Sequence, residues 1–213
     1  MQKTKIDWCD YTWNPVIGCR RGCPYCYAER INKRFKYIKY WDMPQWREKS
    51  FDKKFPKKPS RIFVNSMSDI GYWEDVWINR VLDKIKKYPQ HTFLFLTKDF
   101  GIYADYDFSE NCWLGYTITN QKQYDYLMFS ENAYYPDKNK FFLSLEPIQE
   151  EIKLHAEPDW IIIGAETGNR KDKIIPELKW INNIIQHNKN IPIFLKGSLK
   201  NIWPDKLIQQ FPE

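Results

Sequence analysis

Three cysteines packed into one short stretch constrain this chain more than anything else in it. The stretch Gly18-Cys19-Arg20-Arg21-Gly22-Cys23-Pro24-Tyr25-Cys26 spaces them C-x3-C-x2-C, with an aromatic residue just before the third. Three thiolates on so short a loop can converge on one metal centre. Sulfur is a soft ligand, so zinc and iron–sulfur are the natural occupants. A structural zinc site usually closes with four protein ligands drawn from two separated pairs. Here one tight triplet stands without a second Cys or His pair after it. A cubane cluster held by three thiolates leaves one iron open to an outside ligand, and an open site suggests chemistry. Two plainer readings stand beside this one. One is three buried cysteines that lie near each other by chance, and the other is a zinc knot that recruits Cys9 as its fourth ligand.

The bulk numbers exclude several classes. With 213 residues, one domain with a sizeable core is the expectation, spanning 1–213. No run of about 18 apolar residues occurs, so no membrane span is expected. The first residues lack the apolar core of a signal peptide. Five cysteines, an odd number, argue against a secreted disulfide framework. With a thiolate triplet that needs reducing conditions, this points to the cytoplasm. Charge is concentrated rather than spread: nine Lys/Arg against three Asp/Glu between 36 and 61 account for the whole net charge of +6. That segment also carries Tyr37, Tyr40, Trp41, Trp46, Phe51 and Phe55 and has no clean period. Basic residues interleaved with aromatics suit phosphate contact and base stacking. The bland alternative is a solvated insertion that covers the mouth of the fold.

Hydrophobic patterning places the remaining elements. A first strand is expected around 12–17, then a helix from about Tyr27 to Phe35 or beyond on the stripe Ala28, Ile31, Phe35, Ile38. From Arg61 onward, short apolar runs alternate with helices or irregular connections. Strands are expected at 62–64, 92–96, 112–118, 140–145, 159–163 and 191–195. Helices are expected at 74–88, with Val76, Ile78, Val81, Leu82 and Ile85 inside, at 121–129, and at 176–187 with Pro176 in its first turn. About seven continuously apolar strands mean a parallel α/β sheet. A closed eight-fold barrel needs about 250 residues. The expected fold is therefore α/β, an open partial parallel barrel of (β/α)6 type. Ligands of such folds gather at the carboxyl ends of the strands. Every one of those ends is polar: Ser66, Ser68 and Asp69, then Lys98, Asn120, Glu146, Glu166 and Lys196. Polar residues also simply end strands, so each has a plain explanation. Asp69, Lys98, Glu146, Glu166 and Lys196 are the candidate catalytic residues.

The cysteine stretch resembles the radical S-adenosylmethionine superfamily, whose signature C-x3-C-x-aromatic-C matches Cys19, Cys23, Tyr25 and Cys26. The resemblance implies a partial (β/α)6 barrel derived from the TIM barrel. It also implies a 4Fe–4S cluster on Cys19, Cys23 and Cys26, with its fourth iron chelating S-adenosyl-L-methionine. By the same resemblance Tyr25 packs beside the adenine. Ser66, Ser68 or Asp69 stand where the family has a Gly-Gly-Glu-like segment for the methionine amino group, a departure from its pattern. Thr117, Thr119 and Asn120 match its ribose contacts and Gly164 its adenine strand; Glu166, an acid between small residues just past an apolar strand, is by its position a further candidate cofactor contact. The expected activity is reductive cleavage of S-adenosylmethionine and hydrogen abstraction, with an external one-electron donor. The substrate is unidentified; an anion is expected, with a nucleic acid or nucleotide in view, and a partner protein remains open. A narrower likeness extends over nearly the whole chain. Asp10-Tyr11-Thr12-Trp13-Asn14-Pro15, Phe63-Val64-Asn65-Ser66-Met67-Ser68-Asp69, Leu143-Ser144-Leu145-Glu146-Pro147 and Asp159-Trp160-Ile161-Ile162-Ile163-Gly164-Ala165-Glu166-Thr167-Gly168 are similar to a phage and prokaryotic family with a radical SAM-like three-cysteine motif. That family's label supplies no substrate, and Lys98-Asp99 departs from the Lys-Arg expected there. The competing reading is a non-catalytic nucleic-acid-binding protein with a zinc held by Cys9, Cys19, Cys23 and Cys26. Cys112, entering a strand, is expected in the core in either case.

Overall fold

The computed structural model describes residues 3–212. Apolar strands buried on both faces build one seven-stranded sheet, wholly parallel and curled into a half-barrel. Its strands lie in the order β1 (Tyr11–Thr12), β4 (Arg61–Phe63), β5 (Thr92–Thr97), β6 (Cys112–Thr117), β7 (Phe141–Leu145), β8 (Trp160–Ile163) and β9 (Ile193–Leu195). Neighbours in this sheet follow sequence order, as a curled, singly wound sheet requires. The partial-barrel expectation therefore holds at the level of the sheet.

The expected first strand is split. Tyr11–Thr12 joins the large sheet, whereas β2 (Val16–Ile17) leaves it and pairs antiparallel with β3 (Gln45–Trp46). Asn14 and Pro15 cause the break. Pro15 has no N–H to give a ladder. The Asn14 side chain accepts from Met67 N at 3.0 Å and from Ser66 Oγ at 3.1 Å, which turns the chain toward the end of β4.

Helices α3 (Asp75–Ile85), α4 (Gln121–Phe129) and α5 (Leu178–His187) cover the outer face. In α3, Ile78, Val81, Leu82 and Ile85 are buried as expected, but Val76 is exposed. Two residues ahead of Ile78 it points about 200° around the axis, to the opposite side. Pro176 precedes α5 instead of entering its first turn, because Glu177 occupies the cap position. Helix α1 (Tyr27–Phe35) follows the cysteine loop and ends where Lys36 adopts a left-handed conformation with φ 52°.

The basic insertion divides in two. Its later part, with β3 and the one-turn α2 (Glu48–Phe51), forms an outer wall. There Trp13 stacks edge-on against Phe55 at 4.9 Å and donates through Nε1 to Ser50 O at 3.0 Å. Arg80 and Glu48 tie this wall to α3 at 2.6 Å. Its earlier part stays beside the cysteine loop. Of this whole segment, Trp41 lines the cavity described below, so only a small part covers the mouth.

The inner face has two levels. Phe63, Leu94, Phe142, Trp160, Ile162 and Phe194 pack with Trp8 and Cys9 into an aromatic floor. Trp8 meets Phe63 at 4.7 Å and Trp160 at 6.2 Å, sealing that end with the amino-terminal segment. Gly115 is opposite Phe142 in the ladder, and an added Cβ would overlap the Phe142 ring. Glycine in mid-strand is weak by itself but admits the ring that fills the floor. Among the described residues no helix is long and apolar enough to cross a membrane.

Candidate active-site cavity

Above the floor, at the carboxyl ends of the strands, the half-barrel opens into a cavity. It encloses about 870 Å3, counting the part open to solvent. Its place at the carboxyl ends of a parallel sheet is the usual one for small-molecule sites.

The cysteine loop forms one wall, with Cys19, Cys23 and Cys26 all on the lining. Gly18 enters the loop at φ 112°, pressed against Trp41 O and Pro44, where any side chain would clash. Its N–H donates to Met67 O at 3.0 Å and the next N–H, of Cys19, to Trp41 O at 2.8 Å. The loop is thus held between the end of β4 and the insertion. Two of its sulfurs accept backbone N–H groups: Cys19 Sγ from Arg21 N at 3.5 Å and Cys26 Sγ from Glu29 N at 3.3 Å, the latter capping α1. Such bonds favour thiolate over thiol. Burial works the other way, pushing the Cys19 thiol up to about 12 and raising that of Cys26. A cation among the sulfurs would resolve this conflict. All five cysteines are free thiols. Among the described residues, no group of three His, Cys, Asp or Glu side chains stands ready to hold a metal ion. Soft sulfur donors that accept amide N–H groups on a cavity wall are the donor chemistry an iron–sulfur cluster takes.

Cys9 is elsewhere. It packs in the floor with Trp8 and Phe63, its thiol directed at Ile6 O and pushed up to about 12 by burial. It does not line the cavity beside the other three. Cys112 is fully buried in the outer core, as expected.

The polar strand ends converge on this cavity, though several are spent on structure. Asp69 lines it and caps the turn after β4. Its carboxylate accepts from Thr97 Oγ1 at 2.5 Å, Gly71 N at 3.1 Å and Lys98 N at 3.2 Å, with Arg21 at 3.6 Å. Ser66 and Ser68 line the cavity as well, yet Ser66 Oγ is bonded to Asn14 and Ser68 Oγ accepts from Trp73 Nε1 at 3.0 Å. Lys98 lines it with its ammonium 5.6 Å from the centre of the Tyr25 ring and makes no ion pair among the described residues. Burial pushes that ammonium down to about 8, against the opposing pull of Cys23 and Asp69. Glu146 and Lys196 form a close pair, with Nζ 2.5 and 2.6 Å from the two carboxylate oxygens. Glu166 lines the cavity and is clasped by Arg170 through two bonds of 2.8 Å, which hold its carboxyl below the usual range. Thr117 is on the lining, and Tyr25 too.

Four expected contacts are absent from that lining, and of these Lys196 reaches it only through its pair with Glu146. Asn120 caps α4, its side chain accepting from Gln123 N at 2.9 Å, so its polarity serves the helix. Thr119 is buried against the same Gln123, whose Oε1 takes both its N–H and its hydroxyl. Gly164 lies behind the Glu146–Lys196 pair. The structure adds residues that the sequence did not single out. Ser144 is buried, faces the cavity and has no hydrogen-bond partner for its hydroxyl among the described residues. A lone serine inside the otherwise apolar run Phe141–Leu145 was the available signal. Arg30 ties the wall together, donating to Tyr25 O at 3.3 Å and Thr167 O at 2.8 Å. Arg170 carried no local signal, and Trp41 stood only among the interleaved aromatics of the insertion.

A family profile described as "Protein of unknown function (DUF5131)" matches residues 3–200. No curated protein and no solved structure matches the chain. With nearly its whole length matched, the chain belongs to this DUF5131 family.

Proposed function

We propose that the chain is a radical S-adenosylmethionine enzyme acting on an anionic substrate. One observation carries the reading: the three cysteines of the C-x3-C-x-aromatic-C stretch line one wall of a cavity at the carboxyl ends of a parallel half-barrel. Cys19, Cys23 and Cys26 would hold a 4Fe–4S cluster, leaving one iron for S-adenosylmethionine. When bound and reduced, the cluster supplies the electron that cleaves the sulfonium C–S bond, which starts hydrogen abstraction from the substrate.

The chain's own residues bind, orient and exclude water. Asp69 fixes the turn after β5 through Thr97 and the Lys98 N–H, and so aims the Lys98 side chain. The Lys98 ammonium, without a carboxylate of its own, calls for an anionic group from a ligand. Glu146 and Lys196 cancel each other's charge and offer their remaining hydrogen-bonding capacity together. The Ser144 hydroxyl lacks a protein partner and is available to a ligand. Phe63, Leu96, Pro147 and Ala165 supply apolar surface between these groups, which keeps water from reactive species.

The test is anaerobic purification and iron–sulfur reconstitution, followed by EPR of the reduced protein with and without S-adenosylmethionine. A brown protein with a cubane signal that shifts on adding S-adenosylmethionine is expected. Cys19→Ala, Cys23→Ala and Cys26→Ala should each lose iron, whereas Cys9→Ser should retain it. A colourless protein with stoichiometric zinc and no cluster after reconstitution would overturn the proposal.

A further inference from the structure

A second depression lies beside the cavity, and the function above makes no use of it. It is an open groove of about 1550 Å3 between α1, the cysteine loop and the early part of the insertion. Cys19 and Trp41 line both depressions, so the groove runs up to the cavity wall. Its cations are Arg20, Lys33, Lys36 and Lys39, and its acids are Glu29 and Asp42. Lys33 takes up Glu29 at 2.8 Å. Lys36 and Lys39 make no ion pair among the described residues; Lys39 lies over the Tyr40 ring at 4.9 Å. Aromatic rings stand in solvent among these lysines. Tyr37 stacks on Phe35 with centroids 5.8 Å apart and planes 23° apart, and Tyr40 is 51% exposed.

These rings are held on a rigid frame. The buried Asn32 side chain bonds both the N–H and the C=O of Ile38, at 3.0 and 3.1 Å. Arg47 donates to Tyr37 O at 2.7 Å, and Cys19 N to Trp41 O. Exposed aromatics on a fixed backbone, alternating with cations that lack carboxylates, form a stacking platform beside phosphate contacts.

We infer that this groove binds single-stranded nucleic acid, with Lys36 and Lys39 against phosphates and the Tyr37 and Tyr40 rings against bases. An acidic peptide would engage the lysines but leave the ring faces bare. A duplex would hide its base faces in its own stack. That a nucleotide then reaches the cavity rests on the function proposed above; the binding itself does not.

The experiment is fluorescence anisotropy of labelled dT and U 12-mers and of a duplex of equal length, over a salt series, with the full chain. Single strands should bind at low salt and weaken steeply as salt rises. The K36E/K39E pair should weaken binding at least about tenfold and flatten the logarithmic salt slope by about one to two. The Y37A/Y40A pair should weaken it about tenfold or more with the slope unchanged. Tighter binding of U or of dT names RNA or DNA as the source, and either supports the inference. Absence of binding at low salt, affinity that both variant pairs leave intact, or a duplex bound as tightly as the single strands would overturn it. All four side chains are on the surface, so circular dichroism and iron content should match wild type. A colourless wild type that binds oligonucleotide would overturn only the enzyme reading, and a cluster-loaded protein that binds none would overturn only this one.

Discussion

The floor and the cavity of the half-barrel are made by the same strands, one level apart. Along β7, Phe142 belongs to the floor, Ser144 to the cavity, and Glu146 follows at the rim. Along β5 the same two-residue steps run Leu94, Leu96, Lys98, and at β9 they run Phe194, Lys196. Side chains alternate between faces with a period of two, so each inward step climbs one level of a parallel register. The lower level is aromatic and closed by Trp8 and Phe211; the upper is polar and faces a cavity. Stability is therefore concentrated below and chemistry above. Substitutions at the two levels should separate unfolding from ligand binding.

The largest effect should come from Trp160→Ala. This ring touches Phe142, Phe194 and Phe211 at 5.6 to 6.0 Å and is fully buried. A loss of about 3–5 kcal/mol is expected from the urea midpoint. A cost below about 1 kcal/mol would mean that the floor does not anchor the fold. Lys98→Met tests the upper level. Its urea midpoint should match or exceed wild type, since a half-buried charge without a partner is costly. Binding of S-adenosylmethionine or substrate to the reconstituted protein should weaken about tenfold, as loss of a charged hydrogen bond implies. A destabilised variant with intact binding would reverse the assignment of levels.

Ser144→Ala is subtler. Its buried hydroxyl has no partner, so its removal should be neutral or stabilising by up to about 1 kcal/mol in chemical denaturation of the ligand-free protein. Clear destabilisation would place an unrecognised structural bond there. The smallest effect is expected from Arg170→Ala. Arg170 holds the Glu166 carboxyl below its ordinary range, so the pair contributes above that range and loses its contribution as pH falls through the depressed value. Carboxyl carbon NMR of the variant should show Glu166 titrating at higher pH, with a stability loss of about 1 kcal/mol or less at pH 7 that fades as pH falls through the depressed value. An unchanged Glu166 titration would mean that the clasp is not kept in solution.

Sequence and structure agree where the information is local. Helix α4 spans the 121–129 that the pattern predicts, with Asn120 as its cap. Yet Asn120 shows why the site was only partly legible. A polar residue at a strand end serves a helix cap, a turn or a ligand, and its composition is the same in each case. Gln123 claims both Asn120 and Thr119, and Trp73 claims the Ser68 hydroxyl, through partners that the strand pattern does not announce.

By itself the sequence determined the cysteine triplet, the alternation of apolar strands with helices, and the polar character of the strand ends. These follow from spacing and periodicity, which act over a few residues. Only the tertiary structure decided that Pro15 breaks the first strand and that the insertion splits between an outer wall and a groove. It also decided that Cys9 lies in the floor, and that Lys98 is left without a carboxylate while Lys196 and Arg170 each have one. Those outcomes depend on which distant groups meet when the sheet curls, and that meeting is set by register and packing across the whole chain.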